Sequence, residues 1–298
     1  TGCRQTALGY GSLHCATTGK VNTATGYWSM ARLTTGCNNT ASGYKVMEYS
    51  TTAKYSAAFG DRALRCNTTG CCNSAFGFYA LYNNTTANSN TAVGLCALAT
   101  NTTGGSSVAV GVNAGLCNTT ASLVAVGVNA LCCNTTGYRN TAIGISALRT
   151  NSTGNRNVAV GTKSSYCNTT GSFNTASGYV ALFKNTTGSA NTAIGYCALY
   201  DNTTASENTA SGYAALQSNT TGCENTAIGR KAMCCNTTGF NNTAVGMAAL
   251  VVNTTGCYNV AVGNRALVNT TSSLNTGVGY LALCKNTSGN SQVAVGAC

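Results

Sequence analysis

At 298 residues the chain is long enough for one or two globular domains, yet only 7% of it is charged, none of it is proline and 35 residues are glycine. That composition excludes a disordered, charge-rich tail. Five carboxylates (Glu48, Asp61, Asp201, Glu207 and Glu224) and a single histidine, His14, leave an enzyme's acid–base machinery unprovided for. The net charge of +11 comes from 16 basic residues at variable positions, seven of them before residue 66 and none from 66 to 138, so no clustered patch marks a nucleic-acid partner. No apolar run is long enough to span a membrane within this segment. We expect a non-enzyme without cofactor or metal, and the sequence reads as a window from a longer filamentous chain.

Numbering each repeat from its central glycine as zero organises the chain. The glycines are Gly9, Gly26, Gly43, Gly60, Gly77, Gly94, Gly111, Gly127, Gly144, Gly161, Gly178, Gly195, Gly212, Gly229, Gly246, Gly263, Gly279 and Gly296. Every step is 17 residues except Gly111 to Gly127 and Gly263 to Gly279, which are 16. A fixed short period means stacked units that share one core. The expected fold is all-β, a parallel β-roll (β-solenoid) of about 18 stacked 17-residue rungs in a single domain over residues 1–298.

The first element of each rung is a short strand over −4 to −1, from the residues before Gly9 through Asn157-Val158-Ala159-Val160 to those before Gly296. Position −2 is Ala in 17 of 18 rungs and Gly277 in the other, so its side chain points into a space that only a methyl group fits. After the glycine bends the chain, +1 to +4, often Tyr-x-Ala-Leu as in Tyr196-Cys197-Ala198-Leu199, is expected to form a second extended segment. NTTG then makes the return turn, with its glycine available for positive φ. One rung cannot fold alone. Ordering each of its residues costs about 1–2 kcal/mol, more than burial of one leucine and a few small side chains returns. Stability must come from stacking at about 4.8 Å per rung.

Two asparagine ladders follow from the register. One lies at −4 (Asn140, Asn157, Asn174, Asn191, Asn208, Asn225, Asn242, Asn259) and the other near +7 (Asn67, Asn84, Asn101, Asn118, Asn134, Asn151, Asn168, Asn185, Asn202, Asn219, Asn236, Asn253, Asn269, Asn286). Stacked amides can hydrogen-bond along the axis and cap turns. The +7 set also satisfies the N-x-S/T acceptor rule for N-glycosylation; the amide ladder is the favoured reading, because the repeat keeps both threonines and usually the glycine. Among 18 cysteines, Cys117 and Cys133 share an offset in adjacent rungs and form the candidate disulfide, with Cys66 and either Cys71 or Cys72 a second pairing across one turn. The cysteines lack a four-ligand zinc arrangement. His14 reads as a surface residue, and the recurring tyrosines at +1 (Tyr10, Tyr27, Tyr44, Tyr179, Tyr196, Tyr213, Tyr280) as a packing ladder.

The strand Asn157-Val158-Ala159-Val160-Gly161 and its equivalents, with Tyr-x-Ala-Leu after them, resemble the SVAIG-x-x-A repeats in the heads of trimeric autotransporter adhesins (YadA-like). Arrays of NTAIGYxALxxNTTG are also similar to segments of bacterial surface and phage tail-fibre proteins. The resemblance covers the whole chain. It implies a left-handed β-roll, three chains around an axis, and adhesion to host matrix or other surfaces. We therefore expect a structural segment of an extracellular or cell-surface fibre whose partner is itself, as a homotrimer or head-to-tail filament. An adhesin head binding surface glycans or matrix proteins through +1, +5 and +10 to +12 is the alternative, and an ice-binding solenoid presenting the −3 threonines is a third reading.

Overall fold

In the computed structural model, which describes residues 3–297, every regular element is a three-residue β-strand. The chain divides into two compact units, Thr1–Thr153 and Gly154–Cys298. The first holds β1 (Thr6–Leu8), β2 (Thr23–Thr25), β3 (Thr40–Ser42), β4 (Ala57–Phe59), β5 (Ser74–Phe76), β6 (Thr91–Val93), β7 (Val108–Val110), β8 (Val124–Val126) and β9 (Thr141–Ile143). The second holds β10 (Val158–Val160), β11 (Thr175–Ser177), β12 (Thr192–Ile194), β13 (Thr209–Ser211), β14 (Thr226–Ile228), β15 (Thr243–Val245), β16 (Val260–Val262), β17 (Thr276–Val278) and β18 (Val293–Val295). Within each unit successive strands pair in parallel and in register, Ala24 opposite Ala41 in the first and Ala159 opposite Ala176 in the second. Each unit is a β-solenoid, and none of the described residues forms a helix that could cross a membrane.

The strand occupies −3 to −1, so its middle residue alone faces inward. That residue is the −2 alanine, buried without exposure in nearly every rung, and it packs against the +3 alanine and the +4 leucine or methionine. Gly277 marks how tight this space is. A Cβ there would lie 3.0 Å from Leu267 Cγ. The central glycines are fixed twice over: their φ runs from +117° to +140°, and at Gly195 a Cβ would stand 2.6 Å from the carbonyl oxygen of Gly212 in the next rung.

The second extended segment expected over +1 to +4 is absent: these residues form turns. Residues +2 and +4 adopt left-handed φ, as at Cys197 (+53°) and Leu199 (+50°), and the chain closes two successive turns through Ala198 N–H to Gly195 O (3.5 Å) and Asn202 N–H to Leu199 O (3.3 Å). Extended backbone would carry the Ala-Leu pair outward, whereas left-handed residues coil it back over the −2 alanine. The rung still pairs along its length. Gly195, Cys197, Leu199, Asp201, Thr203 and Glu207 each donate a backbone N–H to a neighbouring rung at 2.8–3.2 Å. Alternating residues thus satisfy the polar backbone of what would otherwise be an unpaired coil.

The NTTG glycine also differs from expectation. Positive φ falls instead two residues later, at −5, as at Ala190 and Glu207. What holds the glycine is proximity: a Cβ on Gly70 would meet the carbonyl of Ala87 and the Asn67 amide. Alanine nevertheless stands at the same offset at Ala53, Ala87 and Ala205, each buried.

Candidate functional site

The asparagines are the most regular polar feature of the interior. At −4, in the full-length rungs from Asn157 to Asn242, the amide accepts from the backbone N–H of the next rung's −4 residue, as Asn174 Oδ1 does from Asn191 at 3.0 Å, and donates to the carbonyl at +10, as Asn174 Nδ2 does to Gly188 at 2.8 Å; in a shortened rung Asn259 donates to Ser272 O instead. One side chain thereby ties a strand to the turn beside it. At +7, where one asparagine follows another in full-length rungs, Nδ2 donates both to the preceding rung's Oδ1 and to the carbonyl three residues on: Asn185 reaches Asn168 at 2.8 Å and Gly188 at 2.9 Å. Asn67, Asn84, Asn101, Asn118, Asn134, Asn151, Asn168, Asn185, Asn202, Asn219, Asn236 and Asn253 are all buried, so in the folded units their amides face other amides rather than solvent.

Asn269 is a correction. It belongs to a 16-residue rung, sits at +6, is exposed, and donates to Cys284 O, while Thr270 takes the buried place. Asn286 is half-buried, and its side-chain amide bonds within its own turn, to Gly289, rather than to another asparagine.

Cys117 and Cys133 are free thiols, as are Cys66, Cys71 and Cys72. Cys117, Cys132 and Cys133 lie close enough to feel one another. Burial pushes the Cys132 thiol up to about 11, and the charges of Cys133 and Cys117 add to this. His14 is exposed, its ring 6.1 Å from that of Trp28. Among the described residues no three His, Cys, Asp or Glu side chains form a metal-binding group.

Aromatic side chains form ladders at three offsets. At +1, Tyr10, Tyr27 and Tyr44 stack at 5.6 and 5.4 Å in the first unit, and Tyr179, Tyr196 and Tyr213 at 5.5 and 5.2 Å in the second. At +5, Tyr166, Phe183 and Tyr200 stack at 5.3 and 5.2 Å. At −1, Phe59 and Phe76 stack at 5.1 Å. A shared offset in neighbouring rungs places aromatic rings one rise apart, which offset stacking accommodates.

Sequence reasoning missed the charged network of the first unit. Arg65 Nε donates to the buried Glu48 at 2.7 Å and Nη1 to Tyr82 Oη at 2.8 Å, while Arg32 lies 4.5 Å from the Tyr49 ring centre. Burial opposes the charge on Arg65, but the hydrogen bonds and charge of Glu48 and Tyr82 prevail and hold its pKa above the ordinary value. The signal was available in the spacing. Glu48 and Arg65 are 17 residues apart at one offset, as are Lys184 and Asp201, whose Nζ–Oδ1 distance is 2.7 Å.

Of the two outward strand positions, −1 is mostly apolar, whereas −3 is threonine in 11 of 18 rungs and valine in five. Val108, Val110, Val158, Val160, Val260 and Val262 are exposed, and Ile194 and Ile228 are 46% and 43% exposed. No protein-family model matches the sequence, and no curated protein is significantly similar to it.

Proposed function

We propose that the chain is a structural, non-enzymatic segment of a fibre or surface appendage, and that it assembles with copies of itself through the outward strand face. The observation behind this reading is the column of exposed apolar side chains at −1, Phe59, Phe76, Val93, Val110 and Ile143 in the first unit and Val160, Ile194, Ile228 and Val262 in the second, where Ser177 and Ser211 interrupt it. Exposed apolar side chains that recur along one face in this way mark an interaction site. A second copy is the occupant that suits it, because only a partner with the same rise per rung, about 4.8 Å, keeps its side chains in step with these rows over many rungs. The backbone supports a load-bearing role, since each rung is hydrogen-bonded to its neighbours along most of its length.

Sedimentation velocity on the full chain tests the reading, with the paired substitutions Ile194→Glu and Ile228→Glu. The native chain is expected to sediment as an oligomer and the variant as a monomer with unchanged circular dichroism. A monomeric native chain, or a variant that assembles as the native chain does, would sink the proposal.

A further inference from the structure

The second unit carries two hollows that follow each other along offsets +1 and +2. The first, of about 300 Å³, lies between the +1 ladder at Tyr179 and Tyr196 and the +5 ladder at Phe183 and Tyr200, with Lys163 on the earliest of its rungs. The second, of about 200 Å³, is lined by Arg230, Lys231 and Arg265 around Met247. Tyr213 joins them: its ring stacks on Tyr196 at 5.2 Å, and the Arg230 guanidinium carbon lies 5.9 Å from its centre. The strip is basic without compensation. The ion pairs among the described residues are Arg62–Asp61, Arg65–Glu48 and Lys184–Asp201, so Lys163, Arg230, Lys231 and Arg265 take part in none. Of the unit's other carboxylates, Glu207 and Glu224 both lie at −5, a different corner of the rung.

We propose that this strip binds a linear sulfated polysaccharide, with a sulfate group held by Arg230, Lys231 and Arg265 and the adjoining sugars lying along the tyrosines. The three cations decide the anion. A sulfate ester offers three terminal oxygens and can bridge two guanidinia and an ammonium together, whereas a carboxylate is satisfied by one guanidinium fork. The tyrosines decide the rest of the ligand. Their rings lie within 12° of parallel and stack on one another, so the hollow is offered ring edges and hydroxyls. Those groups can hydrogen-bond sugar hydroxyls, while a nucleobase needs a free ring face to stack on. This surface lies on the +1, +2 and +5 side of the rung, apart from the −3 and −1 face assigned to self-association.

The test is fluorescence anisotropy with a labelled heparin-derived decasaccharide and the full chain. Binding is expected at micromolar protein and should weaken as salt rises. The paired change Arg230→Gln and Arg265→Gln is expected to lower affinity about tenfold or more with circular dichroism unchanged. The charge-matched control Lys20→Gln with Lys54→Gln, both exposed in the first unit, should bind as the native chain does. The proposal is overturned if the native chain does not bind, if the arginine variant binds equally well, or if the lysine control loses as much affinity. It is also overturned if unsulfated polygalacturonate or a single-stranded oligonucleotide of similar charge binds as tightly.

Discussion

Val21 has φ of +56° and is 47% exposed, a β-branched residue held in the left-handed region without burial to justify it. Its backbone N–H reaches Cys3 O in the preceding rung at 3.1 Å, and that bond is what the conformation secures. Left-handed geometry costs an L-residue about 1–2 kcal/mol, and asparagine tolerates it best after glycine. Asn38 and Asn241 already occupy the same offset at +58° and +53°. Val21→Asn is therefore expected to stabilise the protein by about 1 kcal/mol, read as a shift in the urea midpoint with unchanged slope. A destabilised variant would mean that Val21 packs usefully where its exposure says it does not. These positions also set the limit of what the sequence discloses. The strand, the −2 alanine and the Ala-Leu core are legible because each repeats with one chemistry, and the amide ladders are legible for the same reason. The left-handed residues at +2, +4 and −5 are occupied by Leu, Lys, Tyr, Cys and Ser alike, with no glycine or asparagine preference to announce them. Backbone pairing between rungs imposes the conformation, and pairing is not written in any single repeat. The hollows at +1 and +2 were hidden for the same reason, since their width depends on that coil.

At the scale of the rung, the +7 ladder shows what a missing residue does. Asn84 donates to Asn67 and Asn101 to Asn84, but Asn118 turns its Nδ2 to Thr120 O inside its own shortened rung, and Asn101 Oδ1 is left buried without a donor. The second shortened rung repeats the defect. Asn253 donates to Asn236, yet its own Oδ1 has no donor, because Thr270 fills the place where the next asparagine would stand. A buried acceptor without a partner costs about 1–3 kcal/mol. Thr270→Asn would supply the donor, at the loss of the Thr270 hydroxyl bond to Asn286 O. We expect a net gain of about 1 kcal/mol, measurable as a higher midpoint of denaturation. A loss would show that the extra volume, rather than the missing bond, governs this site. The same local rule explains why Asn269 left the ladder: with one residue fewer the asparagine falls at +6, and the buried slot goes to its neighbour.

Each unit as a whole behaves as a stack in which a rung touches only the rungs beside it, so stability is a sum of nearest-neighbour terms. The position of a defect should then matter more than its chemistry. At Gly195 and Gly279 alike, φ is near +126° and a Cβ would run into the carbonyl of the next central glycine. Alanine at either is expected to cost at least about 3 kcal/mol locally. Gly195 has strands β10 to β12 before it and β13 to β18 after it within the second unit, so Gly195→Ala should divide that unit's cooperativity and give two denaturation steps. Gly279 has only β18 after it, and Gly279→Ala should fray the last rung while leaving the main transition in place. Hydrogen exchange of β13 and β14 separates the cases: faster exchange in both variants would contradict nearest-neighbour stacking. The shortened rungs carry a further consequence, for the gene rather than the molecule. Losing a single codon inside most domains shifts every downstream contact, but here the stack recovers its register within one turn and forfeits one amide hydrogen bond, as at Asn101 and Asn253. A sequence of this kind can therefore lengthen, shorten and drift by copying errors, with selection acting on each repeat almost separately.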